Sequence, residues 1–296
     1  MTTSPIKAKP VPHRVAQLDY ARSACVDVAH KVIIRRQRSR SQVNSDYDAG
    51  EWKDHLRQRA WESSRSLPEY VLGVDQRRVR AQIDGRLCDI CLSDYYRYRA
   101  DQIVSLLREF DGESPRMVEV GCGAGRNLFA CAMSGRWKEL RGLELSQTGI
   151  EVICAVASHF GLDYLSAGPI DLLDDRSPGF DELRGATAFT FYCLEQLPQH
   201  TESVLRRLAA AGVRRVIHIE PTMEFFQAWS LRDLASMAYI WRQDYLADLV
   251  KVARRLEREG VLRVVAARRL GFAPTLRNTP TLVVWEPLAS SSHPDT

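Results

Sequence analysis

The segment Met117-Val118-Glu119-Val120-Gly121-Cys122-Gly123-Ala124-Gly125-Arg126-Asn127 constrains this chain more than any other. A short apolar run with one acidic residue meets three glycines at alternate positions, and the helix-forming stretch Leu128-Phe129-Ala130-Cys131-Ala132-Met133 follows. That order predicts strand, tight turn, helix. Glycine suits the turn because a missing Cβ permits positive φ and close approach of a ligand to the backbone. The N–H groups that open the helix are unpaired donors for an anionic or polar group. The spacing is Gly-x-Gly-x-Gly, which differs from the Gly-x-Gly-x-x-Gly of dinucleotide sites.

The chain beyond this turn alternates. Residues 117–120, 139–145, 162–166, 186–193, 213–219, 261–268 and 280–285 read as strands. Residues 124–134, 147–160, 200–211 and 225–258 read as helical, the last with a break near Tyr239. Such alternation predicts an α/β fold with a mostly parallel sheet. Right-handed crossovers gather the loops at the C-terminal ends of the strands, where ligands bind in open sheets.

Residues 117–127 resemble motif I of class I S-adenosylmethionine (SAM)-dependent methyltransferases, with Glu119 at the family's acidic position. The resemblance implies a seven-stranded, mostly parallel Rossmann-like sheet whose seventh strand runs antiparallel between the fifth and sixth. It also implies SAM as cofactor, with S-adenosylhomocysteine as product. Motif I would hold the cofactor through Glu119, Gly121, Cys122, Gly123, Gly125 and Asn127. Glu144, beside Leu145 at the end of the second strand and about 20 residues past the turn, is placed for the ribose diol, since a carboxylate accepts from two hydroxyls. Asp171 is the candidate for the adenine amino group and Leu172 for packing on the ring, with Asp174 and Asp175 as alternatives. Tyr192 closes the fourth strand on the cofactor side. In this family the helix before motif I covers the methionine end, which makes Tyr98 and Arg99 candidates against a plain core-and-surface helix. The cofactor domain is expected over residues 111–296, with residues 1–110 as an N-terminal helical extension that covers the pocket or forms a homodimer interface.

The run Phe189-Thr190-Phe191-Tyr192-Cys193-Leu194-Glu195-Gln196-Leu197-Pro198 is similar to the strand-to-helix segment of small-molecule methyltransferases. It lacks the Asn/Asp-Pro-Pro-aromatic signature of amino methylation on adenine or glutamine. It also lacks the Pro-Cys pair of cytosine C5 chemistry, which uses a thiolate. On the fifth strand, period-two alternation puts His218 and Glu220 on one face. Glu220, with Glu195, Glu224 and Asp244 near the aromatic residues Tyr192, Phe225, Trp229, Tyr239, Trp241 and Tyr245, would make an acidic, aromatic mouth. Such a mouth favours a cationic acceptor, hence nitrogen over oxygen, with a carboxylate available for the released proton. The competing reading makes Glu220 a cap and the aromatics core. His218 is a candidate base for an oxygen nucleophile, against a hydrogen-bonded structural histidine. The expected acceptor is a small metabolite or peptide-like molecule.

At 296 residues, 45% hydrophobic and 26% charged, the chain has ordinary globular composition. No apolar run reaches the roughly 18–20 residues that cross a bilayer, and the N-terminus lacks an apolar signal core. The expectation is a cytoplasmic protein without membrane contact. Seven cysteines, an odd number scattered through regular segments, fit reduced thiols. Cys88 and Cys91 have zinc-type spacing, yet no second pair follows and a helix would bury both on one face, so no metal is expected. Residues 1–12 read as a disordered tail, and 14–36, 51–66 and about 85–110 as helices. Residues 1–100 carry 19 Lys/Arg against 12 Asp/Glu. The cluster Arg35, Arg36, Arg38 and Arg40 is either a solvated helix end or an RNA footprint. An RNA methyltransferase, and a non-catalytic SAM-binding scaffold, are the two rival functions.

Overall fold

The computed structural model describes residues 6–34 and 52–288. The Arg35–Arg40 cluster lies outside them. Seven strands form the main sheet: β4 (Arg116–Val120), β5 (Glu139–Glu144), β6 (Leu165–Pro169), β7 (Thr187–Phe191), β8 (Arg215–Glu220), β9 (Leu262–Arg269) and β10 (Thr281–Pro287). Their order is β6-β5-β4-β7-β8-β10-β9. The first five strands are parallel, and β10 is antiparallel to both of its neighbours, β8 and β9. That arrangement is the one the motif I resemblance implies.

Helices cover both faces of the sheet. On one lie α5 (Leu92–Phe110), α6 (Arg126–Ser134) and α7 (Gln147–His159), packed through Leu107, Leu128, Phe129 and Ile153 onto Met117, Phe189 and Ile217. On the other lie α8 (Thr201–Ala210) and α10 (Leu249–Arg258), packed through Val204, Leu208, Val252 and Leu256 onto Val118, Val216 and Trp285. Each inner stripe follows the 3.6-residue period, so both sheet faces are covered and the central strands are mostly apolar, with Glu119, Thr190, His218 and Glu220 as buried polar exceptions.

The N-terminal segment departs from an all-helical extension. α1 (His13–Ile34), α2 (Trp52–Gln58), α3 (Ala60–Ser63) and α4 (Leu67–Leu72) precede a hairpin of β2 (Arg78–Ile83) and β3 (Arg86–Cys91). The hairpin turns at Asp84-Gly85, with φ of 47° and 76°, the double positive φ that a two-residue turn needs to follow strand twist. Residues 86–91 are therefore strand where a helix was expected. Cys88 and Cys91, three apart, fall on opposite faces of β3 rather than on one helical face. β1 (Lys9–Pro10) pairs with β3, so part of the expected N-terminal tail is ordered. The long C-terminal helix breaks after Gln243, giving α9 (Leu231–Gln243) before α10. α1 lies along α9, tied by the fully buried Asp27, which accepts from Arg242 at 2.7 Å and from Arg277. Paired this way, the buried carboxylate is compensated.

Candidate functional site

The C-terminal ends of β4, β5, β6 and β7 open on a cavity of about 490 Å³. Its floor is the glycine turn. Gly121, Gly123 and Gly125 have φ of 70°, 54° and 78°, a region that side-chain-bearing residues rarely enter. A Cβ on Gly121 would overlap the Cys193 Sγ and lie 2.8 Å from its Cβ. Gly125 faces away from the cavity, where a Cβ would meet Ile153 at 2.7 Å, and it serves as the left-handed residue that starts α6.

Glu144 ties two loops together. One carboxylate oxygen accepts from Gly123 N–H at 2.7 Å, and the other from Leu145 and Ser146 N–H at 3.0 Å each. Ser146 separately caps α7 through Gly149 N–H. The carboxylate thus stands at the cavity wall in a fixed orientation, beside Leu145. Across the wall, Asp171 and Leu172 also line the cavity, whereas Asp174 and Asp175 do not. Asp171 closes an Asx turn by accepting from Leu173 N–H at 2.9 Å.

At the other end lies a buried polar triad. Asn127 Nδ2 donates to Glu119 Oε1 at 2.7 Å, and Arg99 Nη2 contacts Asn127 Oδ1 at 3.5 Å. The second Glu119 oxygen and the Arg99 Nε are buried and make no hydrogen bond. Burial lifts the Glu119 carboxyl to about 8, against the lowering effects of Asn127 and Arg99. Burial, reinforced by neighbouring Arg126, pulls Arg99 below its usual range. The Arg99 guanidinium lies 5.6 Å from the Tyr96 ring and 5.5 Å from Phe191, and Arg126 stacks 4.4 Å from the same Tyr96 ring. The roof comes from the N-terminal segment: His55 of α2 and Tyr70 and Val71 of α4. These three, and Tyr96, were not visible as site residues in the sequence, where no motif marks them.

Tyr98 belongs elsewhere. It is buried, donates to Asp84 Oδ1 at 2.7 Å and accepts from Asp84 N–H at 3.0 Å. It anchors α5 to the β2–β3 turn and does not line the cavity; one helical step over, Arg99 does.

The expected catalytic trio is also corrected. His218 is fully buried inside the sheet layer: Trp285 Nε1 donates to its Nε2 at 2.9 Å, and its Nδ1 faces Thr190 Oγ1 at 2.9 Å. Burial depresses it to about 3, so it is neutral and has no path to a substrate proton. Glu220 is fully buried and accepts from Cys193 N–H at 3.0 Å and Glu195 N–H at 3.4 Å; it is a cap, and burial raises it to about 7. Glu195 is buried and receives Asn278 Nδ2 at 3.4 Å. None of the three lines the cavity. The acidic mouth is likewise absent from its walls: Glu224 caps α10 through Val250 and Lys251 N–H, and Asp244 pairs with Lys31. Trp229 is 83% exposed. What borders the cavity beyond Phe191 is Tyr192, Cys193, Gln196 and Leu197. Burial holds the Cys122 and Cys193 thiols well above their usual range, so little of either is thiolate, although Cys193 is part-exposed at the cavity wall.

A five-strand parallel run continued by an antiparallel insertion of β10 between β8 and β9, with a glycine turn after the central strand, decides the architecture. The chain has the class I methyltransferase fold. No family model matches the chain, and no curated protein does. Among solved structures it is similar to geranyl diphosphate C-methyltransferase from Streptomyces coelicolor A3(2), at 14% identity over 67% of this chain and 82% of that one, with a TM-score of 0.49. It is also similar to magnesium protoporphyrin IX methyltransferase from Synechocystis PCC 6803, at 12% identity over 66% and 81%, TM-score 0.45. A SAM-dependent methyltransferase from Aquifex aeolicus gives 15% identity over 63% and 89%, TM-score 0.44. Among the described residues no helix is long and apolar enough to cross a membrane.

Proposed function

We propose that this chain is a SAM-dependent methyltransferase acting on a small acceptor. One observation carries the reading. A buried carboxylate oxygen of Glu119 and the buried Nε of Arg99, neither hydrogen-bonded, flank Asn127 above a glycine floor. An acceptor and a cationic donor held side by side suit the ammonium and carboxylate of an amino acid. Two further features extend the match to a nucleoside: the Glu144 carboxylate for vicinal hydroxyls and the Asp171–Leu172 wall for a base. A cavity of about 490 Å³ is within the range of small-molecule sites.

SAM brings a methyl group already activated on a sulfonium. The protein's part is then to bind, align and exclude water. In this reading Glu119 and Arg99 hold the amino-acid end, Glu144 the ribose and Asp171 the adenine. Phe191 and Tyr192 border the approach of the nucleophile, and the roof from His55, Tyr70 and Val71 keeps bulk water out. Residues 1–110 act as cover for a cofactor domain spanning 111–296.

The preference for a nitrogen acceptor rested on carboxylates that cap loops and pair with lysine elsewhere. Without them the proposal is confined to a small acceptor. The test is calorimetric titration with S-adenosylhomocysteine, beside Arg99→Ala. Micromolar binding that the variant weakens supports the reading; no binding by the folded parent overturns it.

A further inference from the structure

Behind the cavity wall runs a line of buried polar side chains that the cofactor reading leaves unexplained. Trp285 stands on β10, His218 and Glu220 on one face of β8, and Thr190 on β7, directly paired with His218. All four are fully buried. The chemistry of each group fixes the direction of every hydrogen bond. An indole N–H only donates, so the His218 Nε2 at 2.9 Å accepts. The neutral ring then carries its proton on Nδ1 and donates to Thr190 Oγ1 at 2.9 Å. The Thr190 hydroxyl proton is left to face the Glu220 carboxylate, whose charged form Thr190 favours against burial. At the far end Glu220 accepts the backbone N–H groups of Cys193, at 3.0 Å, and Glu195, at 3.4 Å. Every donor in the line points toward that one carboxylate.

The turn it holds needs holding. Tyr192 has φ of 53°, in the left-handed region that a bulky residue occupies only when its surroundings over-determine it. Its N–H donates to Ile219 O at 3.2 Å and its hydroxyl to Asn278 O at 2.6 Å. The next residue, Cys193, packs its sulfur where Gly121 has no Cβ. Tyr192 and Cys193 therefore form the wall facing the glycine floor, and a shift there would change the space above Gly121.

We propose that Trp285, His218, Thr190 and Glu220 form a single buried hydrogen-bonded chain that fixes the Tyr192–Glu195 turn as the cavity wall, with Glu220 as its terminal positioning residue. The chain explains why an imidazole and a carboxylate sit inside a sheet layer without touching the cavity. It rests on the methyltransferase reading only for what the wall faces; the holding itself is a property of the fold.

Alkylation of Cys193 by iodoacetamide, followed by peptide mass mapping in the full chain, tests it with and without S-adenosylhomocysteine. Thr190→Val keeps the shape and removes the hydroxyl; Glu220→Gln sets amide protons against backbone N–H groups. Each is expected to raise Cys193 labelling about tenfold in the ligand-free protein, as loss of a charge-assisted bond would. Cys131, fully buried in α6, should stay unlabelled, and Thr190→Ser should behave as the parent because the hydroxyl is restored. Parent-like labelling in both disruptive variants overturns the proposal. So does joint labelling of Cys193 and Cys131, which would make the chain a global stability element. If the ligand fails to protect Cys193 in the parent, the cofactor reading falls while the ligand-free comparison still stands.

Discussion

Asn127 donates to Glu119 at 2.7 Å and turns its amide oxygen toward Arg99 at 3.5 Å, so one amide orients an acid and a base on either side of it. The pair is not a salt bridge. Each keeps one buried polar atom without a hydrogen bond, a costly arrangement in a protein interior. A site that tolerates this in the absence of ligand gains on binding a zwitterion, because both groups are then satisfied together.

Replacing Glu119 by Gln separates stability from binding. A carboxyl raised by burial to about 8 binds its proton more tightly folded than unfolded. Its contribution to stability is therefore full at acid pH and is lost as pH rises through about 8. The amide cannot ionise, so Glu119→Gln should melt close to the parent near about pH 4 and increasingly above it as pH rises toward about 8. The same variant should bind S-adenosylhomocysteine at least about tenfold more weakly, having lost the charge that meets the ammonium. Thermal denaturation and calorimetry at the two pH values check both halves.

Proton release follows from the same group. Below about pH 8 the Glu119 carboxyl of the ligand-free protein is protonated, and an ammonium beside it favours the ionised form. Binding of S-adenosylhomocysteine should thus expel up to one proton per site, and affinity should climb between about pH 6 and pH 8. Calorimetry in two buffers of different ionisation enthalpy measures the number released. A buffer-independent heat in the parent, matching that of Glu119→Gln, would contradict the assignment.

At Gly121 the obstacle is both steric and conformational. A methyl group would overlap the Cys193 sulfur, and φ of 70° disfavours any Cβ by about 1–2 kcal/mol. Gly121→Ala should lose most cofactor binding and melt several degrees lower. Adding Cys193→Gly removes the overlap but leaves the φ penalty, so the double variant should recover part of the melting temperature and not all of it. Full recovery would mean that the turn relaxes freely.

What the sequence made legible depends on how local the cause is. Glu144 and Asp171 were readable because each sits at a strand end whose distance from the glycine turn sets its place, and both line the cavity. The hairpin at Asp84-Gly85 carried a strong turn signal, and its strands alternate; the apolar residues 87, 88 and 90 nonetheless also fit a helical stripe, and that reading masked it. Tyr98 and Arg99 could not be told apart without that hairpin, because the partner of Tyr98 is Asp84 on its turn. Glu220 and His218 were put on one face correctly, but whether that face met the cavity or the interior depends on α8, α10 and the loop after β7, none of which alternation along one strand encodes.

The contrast between Tyr98 and Arg99 gives the sharpest test of which α5 residue serves the site. Tyr98→Phe removes two hydrogen bonds to Asp84, worth about 1 kcal/mol each, from a buried anchor that does not line the cavity. It should lower the melting temperature by several degrees and leave S-adenosylhomocysteine affinity unchanged. Arg99→Ala removes the cation and its packing on Tyr96 and Phe191. Truncating a largely desolvated charge that meets a ligand carboxylate costs about 2–5 kcal/mol of binding, so affinity should fall by about 30-fold or more. Arg99→Lys keeps the charge but loses the planar fork and the stacking, and should fall between the two. If Tyr98→Phe weakened binding as much as Arg99→Ala, the helix would have to be rotated by one residue from the position described, with the Asp84 contact broken.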